Sequence, residues 1–237
     1  SLGVHHLTHD ITPYNTFEAS YRLFQTVEYW PKGTTFVSVV DPGVGSSRKS
    51  VVALTKTGQY IVTPDNGTLS YIKKDVGIVA VREISEVENR RSNTDLSYTF
   101  HGRDVYAYTG AKLASGHISF EEVGPELPVD KILEFPVVET IIEENLVRGA
   151  IDILDVRFGS LWTSITRDDF YALEPNFGDR FEVTIFNNDM LVYQNQVTYG
   201  KSFADVRIGQ PIIYINSLYR VGLAINQGSF AKAYNVG

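Results

Sequence analysis

The chain has 237 residues, 43% of them hydrophobic, with 28 acidic against 21 basic residues and a net charge of −7. That is apolar content for a sizeable core, in one large domain or two small ones, and it excludes the basic footprint that nucleic acid or an anionic membrane surface requires. The absence of cysteine excludes disulfides and thiolate chemistry and fits a cytoplasmic protein. No apolar run approaches the roughly 20 residues of a spanning helix, and the pattern shows no charged-then-apolar leader. The sequence enters at once, from Ser1, the loop-like "VHHLTHDITPYN", as though residues before it were missing.

In "NTFEASYRLFQTVEYWPKG", Phe17, Tyr21 and Phe24 share one face beside Leu23, Val27 and Trp30. This spacing predicts a helix, with Asn15 and Glu18 as a capping pair and Pro31 and Gly33 as its stop. "TTFVSVV" (34–40) is β-branched and apolar throughout, as expected of a central strand covered on both faces. "SVVALT", "QYIVT" and "GIVAVREI" add strands, with Thr57-Gly58 as a hairpin turn, and "GRDVYAYTGAKLASG" (102–116) is a second helix ending at Gly116. Residues 125–145, with three prolines and clustered acids, read as a linker. Beyond them "GAIDILDV", "RFEVTIF", "DMLVYQNQVTY", "PIIYINS" and "YRVGLAI" are short strands between Gly, Asn and Asp turns. The expected fold is an α/β domain over 1–124, with a Rossmann-like sheet and flanking helices, then the linker and a small all-β barrel over 146–237.

The loop "DPGVGSSRKS" between two strands is not a phosphate cradle. A Walker loop needs Gly-Lys where Arg48-Lys49 stands, a dinucleotide fingerprint needs a glycine at position 48, and both need a helix where "SVVALT" is a strand. Asp41, ending a strand, sits where open α/β sheets place ligands, although Asp-Pro-Gly is also an ordinary turn. "VTPDNGTLSY" ends another strand with Asp65, Asn66 and Gly67, and "YTFHGRDVYAY" brings His101, Gly102, Arg103 and Asp104 to the start of a helix. The first could be a turn with Asn66 left-handed, the second a cap by Asp104 beside a surface histidine. If the strands are parallel neighbours, the three clusters meet at one sheet edge, where an acid, a guanidinium and an imidazole make a proton-handling site.

"LTHDITPYN", "FVSVVDPGVGSSR", "VTPDNGTLS", "YTFHGRDVYAYTGAKLASG", "EVGPEL", "DVRFGSLWTSI" and "YINSLYRVGLAINQGS" follow in order the motifs of the S-adenosyl-L-methionine hydrolases, or hydroxide adenosyltransferases, relatives of fluorinase and chlorinase. The resemblance spans nearly the whole chain. It implies attack of water or hydroxide on ribose C5′ of S-adenosyl-L-methionine, releasing adenosine and methionine, with no metal or cofactor, in a homotrimer whose sites lie between subunits. The water-handling triad falls on Asp41, Arg48 and His101, either Asp41 or His101 being the base. The implied substrate contacts are Asn66, Gly102, Asp155, Phe158, Ser160, Trp162, Ser217, Ile225 and Gln227, with Phe158 and Trp162 equally readable as core. Asp41 and Gly102 match the hydrolase branch, since the halogenases lack the aspartate and carry a halide-contacting serine at the glycine. Ser160, Ser164 and Leu218 depart from the family pattern, and its opening Thr-Asp-Phe-Gly strand is absent from this sequence. Two other readings stand beside this one, a module that binds or senses an adenosyl ligand without turning it over and a halide-using adenosyl transferase; a carbohydrate-binding β-domain rests only on the aromatic-rich second half.

Overall fold

The structure, a computed structural model, describes residues 3–94, 96, 98–155 and 157–236, and the chain divides into two compact units, Ser1–Pro136 and Val137–Gly237. The first helix follows its apolar spacing. α1 (Thr16–Thr26) starts at Asn15, whose side-chain oxygen accepts the Glu18 N–H at 2.9 Å, and it buries Ala19, Tyr21 and Leu23. The capping pair is not reciprocal, because the Glu18 carboxylate accepts the Thr12 N–H at 3.0 Å and so ties the preceding loop to the helix.

Five strands form the sheet of this unit: β1 (Thr35–Val37), β2 (Ser50–Thr55), β3 (Tyr60–Pro64), β4 (Ile78–Glu83) and β5 (Glu126–Leu127), in the order β1-β3-β2-β4-β5. Only β1 and β3 are parallel; β2 runs antiparallel to both its neighbours, and β5 antiparallel to β4. The sheet is therefore mixed, and the two strands that lead to Asp41 and to Asp65 and Asn66, β1 and β3, are its parallel neighbours. The expectation of a central strand fails at 34–40. The regular strand is three residues long and lies at the sheet edge, leaving Val37 44% and Val39 41% exposed. An apolar run reports affinity for a covered surface, not which neighbours cover it, and among the described residues β1 pairs on one side only.

The strands buried on both faces are β2 and β3. With a period of two, Val51, Ala53 and Ile61 enter a cluster with Leu23, Val27 and Ile72, while Val52 and Val62 pack on the other face against Val105, Tyr106 and Leu113. The short α2 (Glu86–Asn89) precedes the helix that carries Tyr106. That helix opens as a π-helical turn, Gly102–Ala107, before continuing as α3 (Tyr108–Ala114). Residues 125–145 hold more than bare chain: β5 joins the sheet, Ile132 is buried in the first core, and β6 (Ile141–Glu143) pairs with β7 (Leu146–Arg148) as a hairpin.

In the second unit β8 (Ile151–Leu154), β9 (Leu161–Thr166), β10 (Arg180–Asn187), β11 (Met190–Tyr199), β12 (Pro211–Ile215) and β13 (Arg220–Ile225) make one sheet ordered β10-β11-β12-β13-β9-β8. All pairs are antiparallel except β11 with β12. Its core gathers Leu161, Tyr193, Tyr199 and Leu223 with Phe170 of α4 (Arg167–Tyr171) and Phe230 of α5 (Phe230–Tyr234). Thr166 and Asp169 cap α4 reciprocally. Among the described residues no helix is long and apolar enough to cross a membrane.

The turn after β3 depends on a missing side chain. Gly67 has φ +96°, and a Cβ there would fall 2.3 Å from Cε1 of Phe135, whereas Gly33, at φ +88°, has nothing within 4 Å. Gly33→Ala should cost only the left-handed strain, about 1 kcal/mol, and Gly67→Ala about 2 kcal/mol more, from the clash. Urea unfolding of both variants checks this; equal losses would mean that Phe135 yields freely.

Candidate active site

The loop from 38 to 49 leaves β1 and returns into β2. Because β1 is parallel to β3 and β2 antiparallel to it, the end of β1 and the start of β2 lie at the same sheet edge, and the loop need not cross the sheet. Asp41 and Arg48 thus come together from the two ends of one connection. Arg48 Nε donates to Asp41 Oδ1 at 2.8 Å and Nη2 donates to Oδ2, a bidentate pair whose side chains are only 9% and 6% exposed. Removing the two charges from water is offset by this paired geometry and by the further bonds to the guanidinium. The glycines permit the tight return: a Cβ on Gly43 would lie 3.3 Å from Cγ of Arg48 and 3.2 Å from Oγ of Ser46.

Three more side chains hold the guanidinium. Nη2 approaches His101 Nδ1 at 3.1 Å, Nη1 donates to Ser50 Oγ at 2.9 Å, and Ser50 Oγ is hydrogen-bonded to the buried Tyr106 hydroxyl at 3.0 Å. The Arg48 Cζ lies 5.5 Å from the centre of the Tyr106 ring. A guanidinium can only donate. His101 Nδ1 must therefore accept, and the neutral ring carries its proton on Nε2, a buried atom that makes no hydrogen bond to any described residue. Burial lowers the affinity of His101 for a second proton; Glu86 opposes that, Arg48 and Arg90 reinforce it, and Asp41 opposes it. Burial also pushes the Tyr106 phenol far above its usual range, so it stays protonated.

Beside this cluster opens a cleft of about 280 Å³ lined by Val39, Asp41, Val44, Thr99, Phe100, Gly102 and Arg103. The other residues of the motifs turn elsewhere. Asn66 is not left-handed; Gly67 takes that conformation, and the Asn66 side-chain amide donates to the Val40 carbonyl at 2.9 Å, anchoring the β1–β2 loop. Asp65 accepts the Leu133 N–H at 2.9 Å, and burial raises its pKa. Asp104 is fully buried and paired with Arg103. Among the described residues no three His, Asp or Glu side chains group as ligands for one ion.

Ser50 and Tyr106 stand out weakly in the sequence. The available signals were a serine heading an otherwise apolar strand, and a tyrosine five residues beyond His101. The second is meaningful only in a π turn, which closes its bonds between residues i and i+5 and so sets such residues on one side.

The second unit carries the remaining candidates. Asp155, Phe158 and Ser160 occupy the β8–β9 turn, closed by the Asp155 N–H to the Ser160 carbonyl at 2.8 Å and the Gly159 N–H to the Asp155 carbonyl at 2.6 Å. Phe158 is 71% exposed, so it is not a core residue. Trp162 Nε1 donates to the Tyr214 hydroxyl at 3.1 Å, and both Trp162 and Ser160 hydrogen-bond that phenol. Ile225 ends β13 and Gln227, at φ +56°, lies in the turn after it, at the same end as the β8–β9 turn, since β9 begins opposite Leu223. Ser217 lies at the other end of β13, in the turn closed by the Tyr219 N–H to the Asn216 carbonyl at 3.0 Å. Six residues of strand, roughly 17 Å, separate the two ends.

The chain is similar to known proteins along nearly its whole length. Residues 1–124 match the model of the SAM hydroxide adenosyltransferase N-terminal domain, and residues 149–237 that of the C-terminal domain, SAM being S-adenosyl-L-methionine. A protein named fluorinase from Actinopolyspora mzabensis is 27% identical over 252 residues, covering 96% of this chain and 82% of its own. A protein named (R)-S-adenosyl-L-methionine hydrolase from Thermus thermophilus is 31% identical over 238 residues, with 96% and 82% covered. The crystal structure of an uncharacterized conserved protein from Thermotoga maritima superposes with a TM-score of 0.90 at 32% identity, over 100% of this chain and 86% of that one. With both domain models matched across most of its length, the chain belongs to the SAM hydroxide adenosyltransferase family.

Proposed function

We propose that the protein hydrolyses S-adenosyl-L-methionine to adenosine and L-methionine, and that Asp41, Arg48 and His101 handle the attacking water. The observation that carries the reading is the buried Asp41–Arg48–His101 cluster beside a cleft that Asp41 itself lines, in a chain whose relatives include several S-adenosyl-L-methionine hydrolases.

The chemistry asks little of a base. As the water oxygen bonds to ribose C5′, the C5′–S bond breaks and its electron pair goes to sulfur, turning the sulfonium of the substrate into the neutral thioether of methionine. No acid is needed for the leaving group. The water becomes acidic as its oxygen acquires positive charge, so a weak base suffices late in the step. In this reading Asp41 takes that proton, since each carboxylate oxygen keeps a lone pair beyond its bond to Arg48. His101 offers no free lone pair while Arg48 holds Nδ1; it contributes by bonding Arg48 and by the Nε2 proton. Positioning and exclusion of bulk water supply the remainder.

Fluorinases are also among the relatives, so a halide-using transferase is the competing reading. A carboxylate lining the cleft disfavours it, because two anions a few ångströms apart in a weakly polar pocket repel strongly. Asn66, Gly102, Asp155, Phe158, Ser160, Trp162, Ser217, Ile225 and Gln227 serve as substrate contacts in this proposal. The span between Ser217 and Gln227 suits an extended ligand with an amino-acid end and an adenine end. The same reading gives a Rossmann-like first domain over 1–124, supported by the parallel β1–β3 pair, a connecting segment over 125–145 and a small barrel over 146–237. It also has the protein act as a cytoplasmic homotrimer with sites between subunits, turning over without metal or cofactor.

Asp41→Ala and Arg48→Ala should each lower kcat by about 100-fold or more while KM changes only a few-fold. Chromatography of adenosine and methionine released from S-adenosyl-L-methionine checks this, and the same assay in chloride should yield no chlorinated adenosine. Tight retention without products would favour a binding module, and a chlorinated product at a comparable rate the halogenase reading.

His101 also sets a pH dependence. The folded state lowers its pKa below the usual value near 6.5, so as pH falls through that region the unfolded chain binds the proton first and stability declines; above it the contribution is complete. The melting temperature should fall between pH 7 and 5, and His101→Asn, which cannot ionise but keeps an acceptor for Arg48, should flatten that slope. An unchanged slope would show that the titration lies elsewhere.

If the site lies between subunits, mixing Asp41→Ala protein with Asp155→Ala protein should restore part of the activity, once mass tagging shows that subunits exchange. No recovery in mixed assemblies would place both residues in one chain's site or remove one of them from it.

A further inference from the structure

Asp41 and Arg48 belong to the same loop, so their ion pair ties that loop to itself and does not fix the guanidinium relative to the sheet. A tie to the scaffold comes through Nη1, which donates to Oγ of Ser50, the first residue of β2, at 2.9 Å. Ser50 is 5% exposed, and its oxygen lies 3.0 Å from the hydroxyl of Tyr106, which is 0% exposed.

A phenol in a core is an expensive choice unless its hydroxyl is bonded, and phenylalanine would supply the same ring. The same holds for Ser50, which precedes Val51 and Val52 in a strand that otherwise runs through the two cores. Both hydroxyls are directed at one another and, through Ser50, at Arg48. The π turn Gly102–Ala107 gives Tyr106 its direction, because in an α-helix residues 101 and 106 would diverge by roughly 140° around the axis. Here His101 Nδ1 reaches Nη2 and Tyr106 lies beside the same guanidinium.

We infer that Ser50 and Tyr106 are positioning residues for Arg48: their linked hydroxyls hold the Nη1 side of the guanidinium to the sheet and the helix, so that the opposite edge keeps Asp41 and His101 in the arrangement that handles the nucleophile. The inference rests on the proposed hydrolysis only for its effect on rate. The hold on Arg48 itself is a separate observable.

Two measurements test it on the whole chain. Tyr106→Phe and Ser50→Ala should lower kcat about 5- to 30-fold with KM changed less than about twofold, while Ser50→Thr, which keeps the hydroxyl, should stay within about threefold of the parent. In an Arg48→Ala background neither substitution should lower the residual rate further, because the two act through Arg48. Solvent exchange of the Arg48 Nε proton, followed by NMR and assigned with Arg48→Lys, should accelerate at least tenfold in Tyr106→Phe. If Tyr106→Phe, folded by circular dichroism and melting temperature, keeps both the parent rate and the parent exchange, the inference is overturned. A rate loss of equal size in the Arg48→Ala background would overturn it too, by making the effect independent of Arg48. Should the parent protein not turn over S-adenosyl-L-methionine, the hydrolase reading falls and the exchange measurement still decides the positioning role.

Discussion

The bidentate bond between Arg48 and Asp41 is the interaction on which the rest of the site depends. Two opposite charges held out of water are tolerable only when each satisfies the other, and the loop from β1 to β2 is shaped to make that possible. Its two ends emerge at one sheet edge, Gly43 leaves room for the arginine stem, and Asn66 fastens the loop at the Val40 carbonyl. Once the pair is formed, a guanidinium with donors on three sides becomes the hub of the cluster. Its obligatory donor character then fixes the state of the neighbouring imidazole.

In the proposed hydrolysis, the bond from Arg48 separates the roles of Asp41 and His101. A histidine near a carboxylate is commonly read as a base, but this one already spends Nδ1 on Arg48 and is held neutral by burial. For displacement at a sulfonium carbon this is no handicap. The leaving group needs no proton, and the attacking water loses its own only when bond formation has made it acidic. Geometry, rather than a strong base, is what such a site has to supply.

The helix that opens with Gly102 serves the same end by a departure from regular geometry. A π turn is less favourable than an α turn, and it persists here where His101, Val105 and Tyr106 are all buried. Val105 packs in the core while His101 and Tyr106 meet Arg48, an arrangement that regular helical spacing would not give. In the second unit the β8–β9 turn leaves Phe158 exposed, and the turn after β13 leaves Gln227 exposed.

The sequence by itself determined which segments are apolar enough to fold, where α1 begins and that an α/β half precedes a β half, and it marked Asp41, Arg48 and His101 as candidates that the structure then brings into contact. These are local properties, carried by periodicity, capping and residue type, together with an ordered set of motifs. Other features required the tertiary structure. The run 34–40 reads as a central strand yet lies at the edge, because pairing partners are chosen by the whole sheet. Antiparallel β2, not parallel neighbours, brings Arg48 back to Asp41. Asp65 and Asn66 read alike in sequence as polar residues closing a strand, and only the structure shows the first accepting the Leu133 N–H and the second holding the Val40 carbonyl. Ser50 and Tyr106 read as strand and core positions, and only three-dimensional contact joins their hydroxyls to Arg48. Residue identity sets which bonds a side chain can make; the path of the backbone decides which of them it makes.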